Sequence, residues 1–143
     1  MPRICYKLLL FFITFHTDSN GYIMGGSGGH SDTAAGAKLS MIIAPMFRAR
    51  LPIVTDKVNC ISTPGEDIDV LVTQGGIAVN PKNVELTQRL KAANLPIVDI
   101  HELKEKTERI TGTPKAIAKG DRVVAEVISR YGDKLDEIYN VPV

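Results

Sequence analysis

Tryptophan is absent from this sequence, and only two cysteines and three histidines occur in its 143 residues. Cys5 and Cys60 form no CxxC pair and no metal spacing, which excludes a redox dithiol and a cysteine-rich zinc site. His16, His30 and His101 are too scattered to complete a metal set, so no metal is expected. One disulfide is arithmetically open to two cysteines, but a reduced chain is the expectation. Cys60 lies in an apolar segment and reads as a small buried hydrophobe rather than a nucleophile. Charge of one sign is also missing: 17 basic residues face 16 acidic ones, for a net charge of +1. That balance excludes the basic footprint of a nucleic-acid binder. Lys104–Arg109 alternates in sign and reads as a solvated helix face. No apolar run is long enough to span a bilayer as a helix. Leu8–Phe15, with Arg3 and Lys7 before it, has the shape of a signal-peptide core, but no small-residue cleavage site follows. A buried strand, or residues foreign to the domain, are the other readings of that stretch. A secreted or anchored domain would rest on residues 3–15 alone.

What is present is glycine in one place. Gly25-Gly26-Ser27-Gly28-Gly29-His30-Ser31-Asp32 runs into the alanine-rich Thr33–Ala37. Glycine reaches positive φ cheaply and lets another group approach the backbone. Such a loop can turn several N–H groups toward one point, a nest for an anion or an oxyanion. Ser31 and Asp32 are good N-cap types, so a helix over Ser31–Leu39 is expected, its N-terminus adding partial positive charge. The spacing is neither G-x-G-x-x-G nor a Walker A loop. A tight connection without function is the alternative.

The length suits one domain. Asp18–Gly21 is a turn, and Tyr22–Met24 a strand that delivers the loop. Met41–Ala44 is continuously apolar up to Pro45, the pattern of a strand covered on both faces in a parallel sheet. Pro52–Val54 and Val58–Ile61 read as short strands. Ile68–Thr73 reads as a buried strand, resumed at Ile77–Val79 after Gln74-Gly75-Gly76. Asn80-Pro81 opens a helix with Asn80 or Asn83 as N-cap and Leu86, Leu90 and Ala93 on its apolar face. Leu95–Val98 is a further strand. Asp99 caps the next helix, with Glu102 at capping-box spacing and Ile100, Leu103 and Ile110 on one face, stopped by Gly112 and Pro114. Tyr131-Gly132-Asp133 between apolar flanks predicts a closing β-hairpin. Alternating strand and helix give an α/β class.

Three segments in order, Gly25–Ala37, Ile53–Asp69 and Val70–Pro81, resemble the C-terminal part of the citrate lyase α subunit, and the likeness runs from about His16 to Val143. The resemblance implies a CoA-transferase-like α/β fold, a mostly parallel sheet flanked by helices and closed by a C-terminal β-hairpin. It divides the chain into 1–15, foreign or misread sequence, and 16–143, the C-terminal transferase-like domain, with an N-terminal domain of the same fold missing. The implied activity is exchange of acetyl for citrate on an acyl-carrier-protein thioester, with release of acetate. A partner β subunit then yields oxaloacetate, using magnesium that this chain does not bind. The implied partners are that β subunit, the γ subunit (the acyl carrier protein), citrate and acetate, with no nucleic acid and no membrane, in the cytoplasm. No cofactor is bound directly; the thioester arm is a phosphoribosyl-dephospho-CoA derivative belonging to the carrier.

Acyl exchange passes through tetrahedral oxyanions, which need N–H donors aimed at developing charge. Gly28, Gly29 and His30 are the candidate catalytic residues. Gly25, Gly26, Ser27 and Ser31 are candidate substrate contacts, as are Arg48 and Arg50, whose guanidinium groups suit citrate carboxylates or arm phosphates. Asp32 reads as a cap rather than a base. Related transferases carry a covalent glutamate ahead of the glycine loop, and the first glutamate of this sequence is Glu66; the resemblance implies direct exchange within a ternary complex, without a glutamyl intermediate. Gly75 departs from the resemblance, which calls for a larger polar or basic residue there. The isolated chain is expected to be inactive. A non-catalytic module that binds a CoA-like arm or docks to the lyase complex is the alternative.

Overall fold

The computed structural model describes residues 16–17 and 23–24 as backbone, and 29–142 except 57, 59, 114, 116 and 117. The first two short strands, β1 (His16–Thr17) and β2 (Ile23–Met24), pair antiparallel. The expected turn at Asp18–Gly21 lies outside the described residues, as do Tyr22 and Gly25–Gly28. Helix α1 spans His30–Gly36 and leads through Lys38–Ser40 into β3 (Met41–Ile43).

β3 pairs in parallel with β6 (Val70–Thr73), and β6 pairs antiparallel with β7 (Gly76–Val79). A parallel bridge joins Ile77 to Ile97, with Ile77 N–H donating to Pro96 O and Val98 N–H to Ile77 O. The sheet is therefore mixed, not mostly parallel. The reason is local: Gln74-Gly75 is a two-residue turn, too short for a crossover, so the chain must return antiparallel. Leu95–Val98 contributes a single bridge rather than a full strand.

β4 (Phe47–Arg48) and β5 (Leu51–Pro52) form a tight hairpin. Val58–Ile61 is not a strand at its described residues. The N–H of Ile61 donates to Asp136 Oδ2 at 2.7 Å instead of entering a ladder. That bond ties this segment to the C-terminal hairpin, β8 (Val123–Ile128) with β9 (Lys134–Tyr139), which forms where the turn residues place it.

Helix α2 (Val84–Ala92) half-buries Leu86 and Leu90, while Ala93 is exposed. Helix α3 (Ile100–Thr111) starts as expected, with Asp99 accepting from the His101 N–H, and ends at Gly112. It packs on β5 and β7. Leu103, 1% exposed, joins Ala44, Ile53, Val54, Leu71 and Ala78 in the core, with Ile42, Val98 and Ile100 against it. Ile110 is 63% exposed, and Thr107 takes the inner position because it lies one turn beyond Leu103. Its hydroxyl donates to Leu103 O, so it is buried without an unpaired polar atom.

The β6–β7 turn packs tightly. A Cβ on Gly75 would lie 2.6 Å from Met46 Sδ and 2.9 Å from Leu103 Cδ2, so the site of the expected larger residue is already filled. Gly76 has φ +136 and would meet Val98 at 2.7 Å and Pro96 O at 3.1 Å. Strain and overpacking act together there, so Gly76→Ala is expected to cost roughly 2–4 kcal/mol. Gly36→Ala, in open space within α1, is expected to stabilise by about 0.5–1 kcal/mol. Urea midpoints of both variants check the pair.

Candidate acyl-binding site

The site is built from the start of α1. Thr33 N–H and Thr33 Oγ1 both donate to Gly29 O, at 3.0 and 2.8 Å, which makes Gly29 the N-cap. The helix thus begins one residue before the expected Ser31 start, with Gly29 rather than Ser31 or Asp32 as N-cap, and stops at Gly36, short of Leu39. Ser31 and Asp32 sit inside the first turn, where Asp32 complements the helix dipole rather than capping. No side chain caps this end, so the N–H groups of His30, Ser31 and Asp32 have no intrahelical acceptor.

Gly29 has φ −90, an ordinary angle for any residue, and a Cβ there would meet nothing within 4 Å. Neither backbone conformation nor packing among the described residues requires glycine at this position. The rest of the candidate loop, Gly25, Gly26, Ser27 and Gly28, lies outside the described residues.

Two further polar atoms belong to this region. His30 Nδ1 is shielded from solvent and has no hydrogen-bond partner, and the same holds for Thr63 Oγ1. Helix α1 packs against the short 3-10 helix Gly65–Asp67, two residues beyond Thr63. Unpaired shielded polar atoms are costly and call for an explanation. Thr63 escaped the sequence reading of site residues, although it stands in one of the segments that carry the family likeness.

Behind these residues lies a polar clamp. Asp69 Oδ2 accepts from the Ser40 N–H at 2.8 Å, and Asp69 Oδ1 accepts from Asn83 Nδ2 at 2.5 Å, with Lys82 Nζ at 3.6 Å. Asn83 holds the N-cap position of α2, but its amide is committed to Asp69 and does not cap. Asn80, buried, donates through Nδ2 to Gly65 O and Ile68 O, while its Oδ1 accepts from the Lys82 N–H. Lys82 Nζ donates to Glu66 O. The clamp fixes where α1 enters the sheet and where the 3-10 helix lies beside it. The sequence signal was an aspartate interrupting an apolar strand, followed by Asn80-Pro81.

The remaining candidates are not gathered here. Arg48 and Arg50 are exposed on the β4–β5 hairpin, whose β5 packs on α3. Ala49 and Arg50 both have positive φ, 48 and 66, which gives the two-residue turn its type I′ shape. Glu66 is exposed on the 3-10 helix. Burial, then the Asp136 charge, pushes the Cys60 thiol up to about 11, so it stays protonated at neutral pH and is a poor nucleophile. Among the described residues no cluster of three or more His, Cys, Asp or Glu could hold a metal ion. Nor is any described helix long and apolar enough to cross a membrane.

With this geometry in hand, comparison with known proteins is decisive: the family model "Citrate lyase, alpha subunit (CitF)" matches residues 9–141. The chain belongs to the citrate lyase alpha subunit family. It is 49% identical over 131 residues to the citrate lyase alpha chain of Klebsiella pneumoniae, covering 92% of this chain and 26% of the relative. The alpha chain of Escherichia coli K12 is 44% identical over the same length and coverage. A solved structure from Streptococcus mutans, named as the alpha subunit of citrate lyase in complex with citrate, superposes with a TM-score of 0.83 at 43% identity. It covers 95% of this chain and 27% of that one. The chain thus spans about a quarter of the length of the citrate lyase alpha chains it matches.

Burial works to raise the Asp69 pKa, but the Ser40 N–H, the Asn83 amide and the Lys82 charge together outweigh it and hold the carboxyl below its usual 3.8. A depressed folded pKa gives stability that is present above the unfolded value and lost as pH falls through the folded one. Asp69→Asn is therefore expected to weaken the fold at pH 7 and to flatten the acid limb below about pH 4. Asp69→Ala, which strands two donors, is expected to cost about 2–3 kcal/mol at neutral pH. Urea unfolding of wild type and both variants at pH 3, 5 and 7 measures each effect.

Proposed function

We propose that this chain supplies the acyl-binding loop of a citrate lyase alpha subunit, and that the loop takes part in exchanging acetyl for citrate on a carrier-protein thioester. The observation that carries the reading is the open end of α1. Its first three N–H groups have no intrahelical acceptor and no side-chain cap, and a Cβ on Gly29 beside them would meet nothing within 4 Å, with no conformational need for glycine there. The citrate held by the Streptococcus mutans relative supports a tricarboxylate as the acyl acceptor.

The chemistry follows from where charge appears. A citrate carboxylate attacks the thioester carbonyl, and the carbonyl oxygen becomes an oxyanion. Expulsion of the thiolate leaves a mixed anhydride, which the thiolate reopens at the citryl carbonyl, releasing acetate. Each tetrahedral stage places a full negative charge on one oxygen. Backbone donors already fixed by the helix stabilise it without reorganising; loss of one such donor typically costs about 10²–10³ in rate. His30 Nδ1, shielded and unpaired, is suited to bond a substrate carboxylate or hydroxyl. Gly25, Gly26, Ser27 and Gly28 would extend the same donor set, and Ser31 would add a hydroxyl. Arg48 and Arg50 face no described acidic partner in an ion pair, and they remain the proposed contacts for carboxylates or arm phosphates. The β and γ subunits are the proposed partners, in the cytoplasm.

Citrate titration followed by amide NMR tests the site. The expected outcome is saturable shifts at His30, Ser31 and Asp32, abolished in Gly29→Leu while its melting temperature stays within about 2 °C of wild type. Shifts confined to other segments would remove the proposal. His30→Ala, assayed with the complementary part of an alpha chain and acetyl-loaded carrier protein, is expected to lower acyl exchange by about tenfold or more. The isolated chain is expected to show none.

A further inference from the structure

The outer strand of the described sheet is β3, and its apolar side chains do not all find cover. Ile42 packs on the core, whereas Leu39, Met41 and Ile43, which share the opposite face by their two-residue spacing, are 48%, 51% and 74% exposed. Among the described residues the edge is open as well. Val70 N–H donates to Ser40 O, and Ala44 N–H donates to Val72 O. The even-numbered residues thus face β6, and the N–H and C=O groups of Met41 and Ile43 point away from it. No charge or proline within β3 blunts this edge. Natural proteins rarely leave a flat apolar edge of this kind open, because it pairs with whatever strand arrives.

The occupant follows from length and likeness. This chain superposes on one quarter of a citrate lyase alpha subunit, and the relatives hold nearly three times as much chain again outside the matched part. We infer that the free edge of β3 receives a strand from that unmatched portion of an alpha subunit, whose side chains cover Leu39, Met41 and Ile43. The strand extends the sheet through the main-chain groups of Met41 and Ile43, and apolar side chains facing Ile43 close its outer face. The inference rests on family membership and on the edge geometry; it is independent of the acyl chemistry at α1.

The test is co-expression of the 143-residue chain with a tagged polypeptide carrying the part of the Klebsiella pneumoniae alpha chain that it does not match. The expected result is one-to-one co-purification, with hydrogen exchange at the Met41 and Ile43 amides slowed at least about tenfold in the complex. Ile43→Lys is expected to weaken capture by about tenfold or more, while Ile110→Lys, exposed on α3, leaves it intact. Failure to co-purify overturns the inference. So does capture with unchanged exchange at Met41 and Ile43, or a chain that instead pairs with a second copy of itself through β3. If Ile43→Lys does not fold alone, judged by circular dichroism, the exchange result on the unsubstituted chain decides.

Discussion

The carboxylate of Asp69 is the constraint on which the arrangement depends. It stands at the start of β6 and accepts from both Ser40, at the start of β3, and Asn83, at the start of α2. Three segments far apart in sequence are thereby fixed to one side chain. The main chain repeats the tie, since Asp69 N–H donates to Ser40 O and Asn80 N–H donates to Asp69 O. A charged acceptor bound by two N–H donors is stronger than a neutral one, and the half-buried position of Asp69 reduces competition from water. With β3 held in register, α1 is held too, and the open end of α1 faces a defined place.

That placement links scaffold to chemistry. A backbone donor is useful in catalysis only if it is already aimed when charge develops. The clamp positions α1 from behind, through Ser40, and the neighbouring 3-10 helix through Asn80. His30 and Thr63 then carry shielded, unpaired polar atoms on two segments that the same clamp locates. The β4–β5 hairpin with Arg48 and Arg50 is held elsewhere, on α3, with the Asp56–Lys104 pair at 2.5 Å adding a tie between the following loop and that helix. Site and hairpin therefore answer to different parts of the core.

Sequence patterns acting over one or two turns held at some element ends and not at others: Ser31 and Asp32 do not cap α1, and the Asn83 side chain does not cap α2. Asp99 caps α3, Gly112 ends it at φ +76, and the Tyr131–Asp133 turn closes the terminal hairpin. Where an expectation needed to know what lies across space, it slipped. Ile110 has the right spacing yet faces water, because the core ends at Thr107. Met41–Ala44 has the composition of a strand covered on both faces, and the sheet covers only one. The direction of β7 could not be read from its apolar residues, since a strand of either sense has the same alternation; the turn length decided it.

By itself the sequence determined the family, the Asp99 cap of α3 and the turn of the terminal hairpin, because these depend on neighbouring residues and on ordered motifs. It also determined that Asp69 and Asn80 interrupt apolar surroundings, though not why. Only the tertiary structure decided that their polar groups join Ser40, Asn83 and Gly65, that Gly29 has no positive φ, and that among the described residues one face of β3 stays open. Hydrogen-bond partners and burial are set by residues tens of positions away, and no local pattern in the chain encodes which of them will arrive.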